Sequence, residues 1–259
     1  MTEPTPPSAH PAQLQPAWAA CAAAETAFAP APVPVPVVPI AGSAVQFPVH
    51  RIYCVGRNYA EHAREMGGSD REAPFFFLKP ADAVLLGSAD RPAQLPYPPL
   101  TANLHHEVEL VVAIGQGGSH IAAAHAAQHI FGYAVGLDMT RRDLQSELRQ
   151  QGRPWCMAKG FEASAPIGSI VPVALLPPVA DMARADIRLS VNGQLRQQGN
   201  TAHMIWNVAE TIAAISRAWV LQPGDLIYTG TPAGVGPVVA GDTLLAEVQG
   251  LPALQLTIV

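Results

Sequence analysis

The sequence predicts a β-rich α+β fold with a few peripheral helices, and three observations predict it. Short apolar runs bounded by Gly, Pro, Asn and Asp recur along most of the chain, as strands between turns do. An Asn192-Gly193 pair separates Leu189-Ser190-Val191 from Gln194-Leu195-Arg196, the signature of a two-residue hairpin. Helical spacing is confined to a few stretches. The clearest is Met204–Trp219, where Ile205, Val208, Ile212, Ile215 and Trp219 form one apolar stripe that reads as core.

Length and composition narrow the function. At 259 residues the chain can bury a full core. A net charge of −5 without a basic run argues against nucleic acid as a partner. No apolar run approaches a membrane span. Cys21, Cys54 and Cys156 form neither a disulfide framework nor a zinc pattern and suit a reducing compartment. The first Lys or Arg is Arg51, so neither a secretory nor a mitochondrial presequence is expected, and the expected location is the cytoplasm. There are two lysines, Lys79 and Lys159, against thirteen arginines. Such a bias either is chance or keeps Lys where a compact ammonium is needed.

Residues 1–46 read as an Ala- and Pro-rich extension, expected to be partly mobile, with a candidate short helix near Trp18–Thr26 and a candidate edge strand at Val37–Ile40. Residues 47–259 form the expected catalytic domain. Arg51–Gly56 is a buried strand ending in Gly. A helical stretch, Ala60–Met66, follows and stops at Gly67-Gly68, a possible hinge for a segment that closes over a site. His62 and Glu65 share one face of that helix. The pair suits a general base with its orienting carboxylate, although by spacing it reads first as an exposed polar turn.

Phe75–Lys79 is a short strand, and the proline-containing segment to Leu100 reads as irregular. Leu104–Ile114 carries Glu107 and Glu109 two residues apart at the start of an apolar strand. Alternation turns both to one face, where two like charges call for a cation between them; a solvent-facing edge strand is the other reading. His106 is turned to the opposite face. Ile121–Ile130 reads as a short helix. Phe131–Asp138 is a strand ending on a carboxylate, and Thr140 is the expected cap of a helix over Arg141–Gln151, with Arg142 and Gln145 on one face near Asp138. Leu226–Tyr228 runs into Thr229–Gly236, a Gly-rich loop without the Gly-Lys-Ser/Thr ending of a phosphate loop. Its amides and the Thr231 hydroxyl suit a carboxylate, or the loop is a tight turn. Thr243–Val248 and Leu254–Val259 close the chain as strands.

Five segments, Gly56-Arg57-Asn58-Tyr59, Phe77-Leu78-Lys79-Pro80, His106-Glu107-Val108-Glu109, Leu137–Gln145 and Thr229–Gly236, occur in an order that resembles the fumarylacetoacetate hydrolase family, and within it the acylpyruvate hydrolase branch. The region from Arg57 to Lys79 most resembles the bacterial fumarylpyruvate hydrolases. The resemblance implies a mixed β-sandwich roll and a homodimer. It implies metal ligands Glu107, Glu109 and Asp138, a catalytic pair His62 and Glu65 with Lys159 as a catalytic cation, and substrate contacts from Arg142, Gln145 and Thr231. An all-oxygen set suits Mg²⁺ or Mn²⁺ better than zinc. The implied substrate is a small 2,4-dioxo acid cleaved at a carbon–carbon bond. Fumarylpyruvate would give fumarate and pyruvate, in aromatic catabolism by the gentisate route. The same site suits oxaloacetate decarboxylation or a broader acylpyruvase, and a non-catalytic metal-binding module is the third reading. Arg57, Arg71 and Arg142 are the candidates for holding a distal carboxylate of the acyl group.

Overall fold

The computed structural model of the chain describes residues 33–59 and 72–259. The expected helix with His62 and Glu65, the Gly67-Gly68 turn, Arg71 and the possible helix near Trp18–Thr26 lie outside them. The chain divides into two units, Met1–Pro34 and Val35–Val259, and the architecture below belongs to the second.

The strands in chain order are β1 (Val37–Pro39), β2 (Gln46–Pro48), β3 (Ile52–Gly56), β4 (Phe75–Lys79), β5 (Val84–Leu86) and β6 (Ala93–Leu95). Next come β7 (Leu104–His106), β8 (Val108–Ile114), β9 (Ile130–Leu137), β10 (Thr140–Arg141), β11 (Ala165–Ile167) and β12 (Val171–Pro172). The last are β13 (Asp186–Val191), β14 (Gln194–Asn200), β15 (Leu226–Tyr228), β16 (Gly236–Val238), β17 (Thr243–Val248) and β18 (Leu254–Ile258). Among the described residues three α-helices accompany them: α1 (Arg142–Gln150), α2 (Cys156–Lys159) and α3 (Val208–Ala218). The fold is the expected β-rich mixed sandwich roll. A large mixed sheet has the order β4-β3-β15-β8-β9-β11-β5, with β12 paired to β9, and a second sheet has the order β14-β13-β17-β18-β6. A small antiparallel sheet, β10-β7-β16, joins segments that carry candidate site residues.

The two main sheets enclose a core in which Leu110, Val135 and Leu137 meet Ile187, Leu189, Leu244, Leu254 and Leu256. Strand β8 is buried along its whole length. Val111 and Ala113 pack in one cluster with Ile52, Cys54 and Tyr228, while Val112 and Ile114 pack in another with Ile212 and Ile215 of α3. That two-sided burial explains its unbroken apolar run. Val38 and Phe47, from the paired β1 and β2, pack in the first of these clusters. Among the described residues no helix is long and apolar enough to cross a membrane.

Local chemistry adjusts several expected boundaries. The hairpin turn forms as expected, with Asn192 and Gly193 both at positive φ (51° and 76°), as a type I′ turn requires. Helix α3 begins at Val208 rather than Met204. Asn207 and Glu210 make a reciprocal capping box there, so Ile205 lies before the cap instead of on the stripe. The helix expected over Ile121–Ile130 is a 3₁₀ segment, Ala123–His129, preceded by Ala122, which has no side chain to cap it. Short strands β5 and β6 occupy the segment expected to be irregular. Thr140 does not cap α1: it lies in β10, and its hydroxyl serves the carboxylate cluster described next.

Candidate metal centre

Glu107 follows β7 directly and Glu109 is the second residue of β8, so alternation puts both carboxylates on the face continued by Val111 and Ala113. Strand β9 runs antiparallel to β8 with Leu137 opposite Val108, and the Asp138 amide donates to the Glu107 carbonyl at 2.9 Å. Register therefore brings Asp138 to the same place. One carboxylate oxygen from each of the three residues lies within 4.8 Å of the others, and all three side chains are buried. His106 is directed away from this face, and its Nδ1 lies 2.9 Å from Gln197 Oε1.

Among the described residues three cations serve this cluster, and they are distributed unevenly. Lys159, at the end of α2, places Nζ 2.9 Å from Glu107 Oε2, 2.6 Å from Asp138 Oδ2 and 2.6 Å from Thr140 Oγ1. Lys79 Nζ lies 2.8 Å from Asp138 Oδ1 and donates to the carbonyls of Met139 and Lys159. Arg142 Nη2 lies 2.6 Å from Glu107 Oε1. Glu109, by contrast, has no ion pair among the described residues, and its Oε2 accepts only the Gly230 N–H, at 2.7 Å. Burial first, then the Asp138 and Glu107 charges, push the Glu109 carboxyl well above the usual carboxylate range. A divalent cation shared by the three carboxylates would relieve that repulsion. The donor set therefore fits Mg²⁺ or Mn²⁺.

Arg142 and Gln145 form the next layer. Arg142 Nη1 donates to Gln145 Oε1 at 2.5 Å, which leaves the Gln145 amide nitrogen as the group it can present to the pocket. The pocket is lined by Glu107, Glu109, Asp138, Arg142, Gln145, Lys159 and Thr231, and also by Arg57, Phe75 and Trp155. Seven of the nine site residues expected from the sequence thus meet in one place. His62 and Glu65 lie outside the described residues.

The Thr229–Gly236 loop is anchored by a residue the sequence reading gave no role. Asn58 donates to the carbonyls of Thr229 and Trp206, at 2.7 and 2.8 Å, and accepts from the Trp206 amide at 2.8 Å. Gly230 has a φ of +97°, and a Cβ there would stand 2.7 Å from Asn58 Cβ, so this close approach requires glycine.

Two further residues were given no site role by the sequence reading. Lys79 was visible as one of the two lysines, and both prove to be buried on Asp138. Gln197 is fully buried. Its Oε1 accepts from the Val108 amide (3.0 Å), and its Nε2 donates to the Pro232 carbonyl (2.9 Å) and to Thr231 Oγ1 (2.8 Å). The two backbone partners fix the orientation of the amide, so the Thr231 hydroxyl accepts from Gln197 and keeps its own proton for the pocket. Strand alternation does not reveal it: an irregularity at Leu189/Ser190 takes Gln197 out of phase with Leu195, which is exposed. Replacing the Nε2 donor with an oxygen, in Gln197→Glu, is expected to cost about 1–3 kcal/mol of stability. Urea unfolding checks this, and unchanged stability would show that these two donations are not made.

The chain is similar to several known proteins. Residues 51–259 match the family described as fumarylacetoacetate (FAA) hydrolase C-terminal. The chain is 42% identical over 203 residues to human (Homo sapiens) oxaloacetate tautomerase FAHD1, mitochondrial, covering 78% of this chain and 89% of that protein. It is 40% identical over 209 residues to oxaloacetate tautomerase YcgM of Escherichia coli (strain K12), covering 81% and 93%. Among solved structures, the fumarylpyruvate hydrolase of Pseudomonas aeruginosa, in complex with Mn²⁺ and pyruvate, is 50% identical with a TM-score of 0.85, covering 88% of this chain and 97% of that one.

Proposed function

This chain belongs to the fumarylacetoacetate hydrolase family, and from that premise we propose that it is a metal-dependent acylpyruvate hydrolase whose substrate is fumarylpyruvate. The observation that carries the reading is the buried Glu107, Glu109 and Asp138 cluster, in a chain 50% identical to a fumarylpyruvate hydrolase in complex with Mn²⁺ and pyruvate. Held by these carboxylates, Mg²⁺ or Mn²⁺ supplies a Lewis acid for the 2-oxo acid end of the substrate and charge stabilisation for a pyruvate enolate.

The chain's own residues supply the rest. Thr231 donates its free hydroxyl proton to the substrate carboxylate. His62, oriented by Glu65, takes a proton from water as the water oxygen bonds to C4. Gln145 directs its amide N–H toward the oxyanion that forms there. The C3–C4 bond then breaks, its electron pair passing into the pyruvate enolate beside the Lys159 ammonium. Protonation of that enolate at C3 by His62 completes pyruvate, and the acyl half leaves as fumarate.

A second reading, oxaloacetate chemistry, is favoured by the relatives named oxaloacetate tautomerases. Tautomerisation or decarboxylation of oxaloacetate would use the same 2-oxo acid site without an attacking water. Comparing kcat/KM for fumarylpyruvate and oxaloacetate on the Mn²⁺-loaded protein separates the two. The hydrolase reading requires fumarylpyruvate to be the better substrate, and a preference for oxaloacetate overturns it.

A further inference from the structure

We propose that Arg57 is the specificity-determining residue for the acyl half of the substrate, an anion subsite for the distal carboxylate of a flat, unsaturated acyl group. The proposal rests on the acylpyruvate reading and names the acyl class.

Three cations line the pocket among the described residues: Arg57, Arg142 and Lys159. Two of them are occupied. The three protons of the Lys159 ammonium go to Glu107, Asp138 and Thr140. Each nitrogen of Arg142 has an acceptor, with Nε 3.3 Å from His105 Nδ1, Nη1 on Gln145 and Nη2 on Glu107. Arg57 is different. It makes no hydrogen bond or ion pair with the described residues, and its Nε is buried without an acceptor. A buried donor lacking an acceptor is costly, and a bound carboxylate supplies the missing partner.

The surroundings of Arg57 specify what leads to that carboxylate. Gly56 packs flush on Phe75: a Cβ at Gly56 would lie 2.0 Å from the ring. The next residue, Arg57, adopts a φ of +54° and carries its guanidinium to 5.8 Å from the centre of the same ring. Phe75 meets Trp155 edge to face at 5.4 Å, and Phe77 meets Trp155 at 6.0 Å. The pocket therefore combines a carboxylate cluster that suits a metal-bound 2-oxo acid with an aromatic wall that carries one uncommitted guanidinium. A planar ene-carboxylate matches the wall and its cation. Acetylpyruvate has no distal carboxylate, and oxaloacetate has no unsaturated segment to lie along the rings.

The test uses the Mn²⁺-loaded protein and its Arg57→Gln and Arg57→Lys variants. It measures kcat/KM for fumarylpyruvate and acetylpyruvate, and fumarate affinity by calorimetry. Arg57→Gln is expected to lower kcat/KM for fumarylpyruvate by about 30–100-fold while changing that for acetylpyruvate by no more than about threefold. Fumarate affinity should fall in parallel, and Arg57→Lys should restore part of both. Equal losses on the two substrates, or no loss on either, would overturn the assignment. Should the wild-type protein cleave neither acylpyruvate, the functional reading fails, and fumarate calorimetry then decides Arg57 by itself. Fumarate binding that weakens in Arg57→Gln upholds the subsite, and binding that is absent or unaltered by the substitution overturns it.

Discussion

Glu109→Gln is expected to lower Mn²⁺ affinity and turnover together while leaving the metal-free protein at least as stable as wild type. The loss should exceed the roughly 10–100-fold typical of removing an outer-shell partner, because a ligand itself is lost. The unusual part is the sign of the stability change. Glu107 and Asp138 are held by Lys159, Lys79 and Arg142, so neutralising either one strands a buried cation. Glu109 has no such partner among the described residues, and it feels Asp138 and Glu107 as like charges. Gln keeps an oxygen for the Gly230 amide and removes the repulsion. Asp138→Asn should therefore lose both metal and metal-free stability, whereas Glu109→Gln loses only the metal. Calorimetric titration with Mn²⁺ and urea unfolding in chelator measure the two quantities. Retained Mn²⁺ affinity in Glu109→Gln would remove Glu109 from the ligand set.

His62→Ala is expected to slow fumarylpyruvate hydrolysis by roughly 10²–10⁴ and to leave Mn²⁺ affinity unchanged. Hydrolysis needs a base for the attacking water, whereas decarboxylation of oxaloacetate does not. The same variant should thus retain most of any oxaloacetate decarboxylation that the wild-type protein shows. Steady-state rates on both substrates, with Mn²⁺ affinity measured alongside, give the comparison. Near-full fumarylpyruvate hydrolysis by His62→Ala would rule out this base.

Part of this site is legible in the sequence because two of its candidate ligands follow strand periodicity. Glu107 and Glu109 share a face by alternation, whereas Asp138 entered the set through the resemblance, and the β8–β9 register accounts for its place beside them. The lysine bias flagged both ammonium groups, although only the resemblance gave Lys159 a role, and the importance of Lys79 emerged from its contact with Asp138. Features that depend on three-dimensional closure were not legible. Thr140 looked like a helix cap because Thr commonly is one, but the pull of the Lys159 ammonium and the β7–β10 pairing places it in the cluster. Gln197 was hidden by a strand irregularity, and Asn58 by partners lying 148 and 171 residues away in the chain. The late start of α3 reflects a capping box overriding the apolar stripe, a contest between local interactions that periodicity alone does not register.

The most direct test of the central claim, metal-dependent hydrolytic cleavage of a carbon–carbon bond, is product analysis in water enriched in oxygen-18. Fumarylpyruvate is incubated with the Mn²⁺-loaded protein and with the same protein after thorough chelation. The expected products are pyruvate and fumarate with solvent oxygen in its newly formed carboxyl group, without CO₂ release, and their formation should stop on chelation and resume when Mn²⁺ is restored. Fumarate formation that survives complete chelation, or CO₂ release in place of fumarate, would contradict the account.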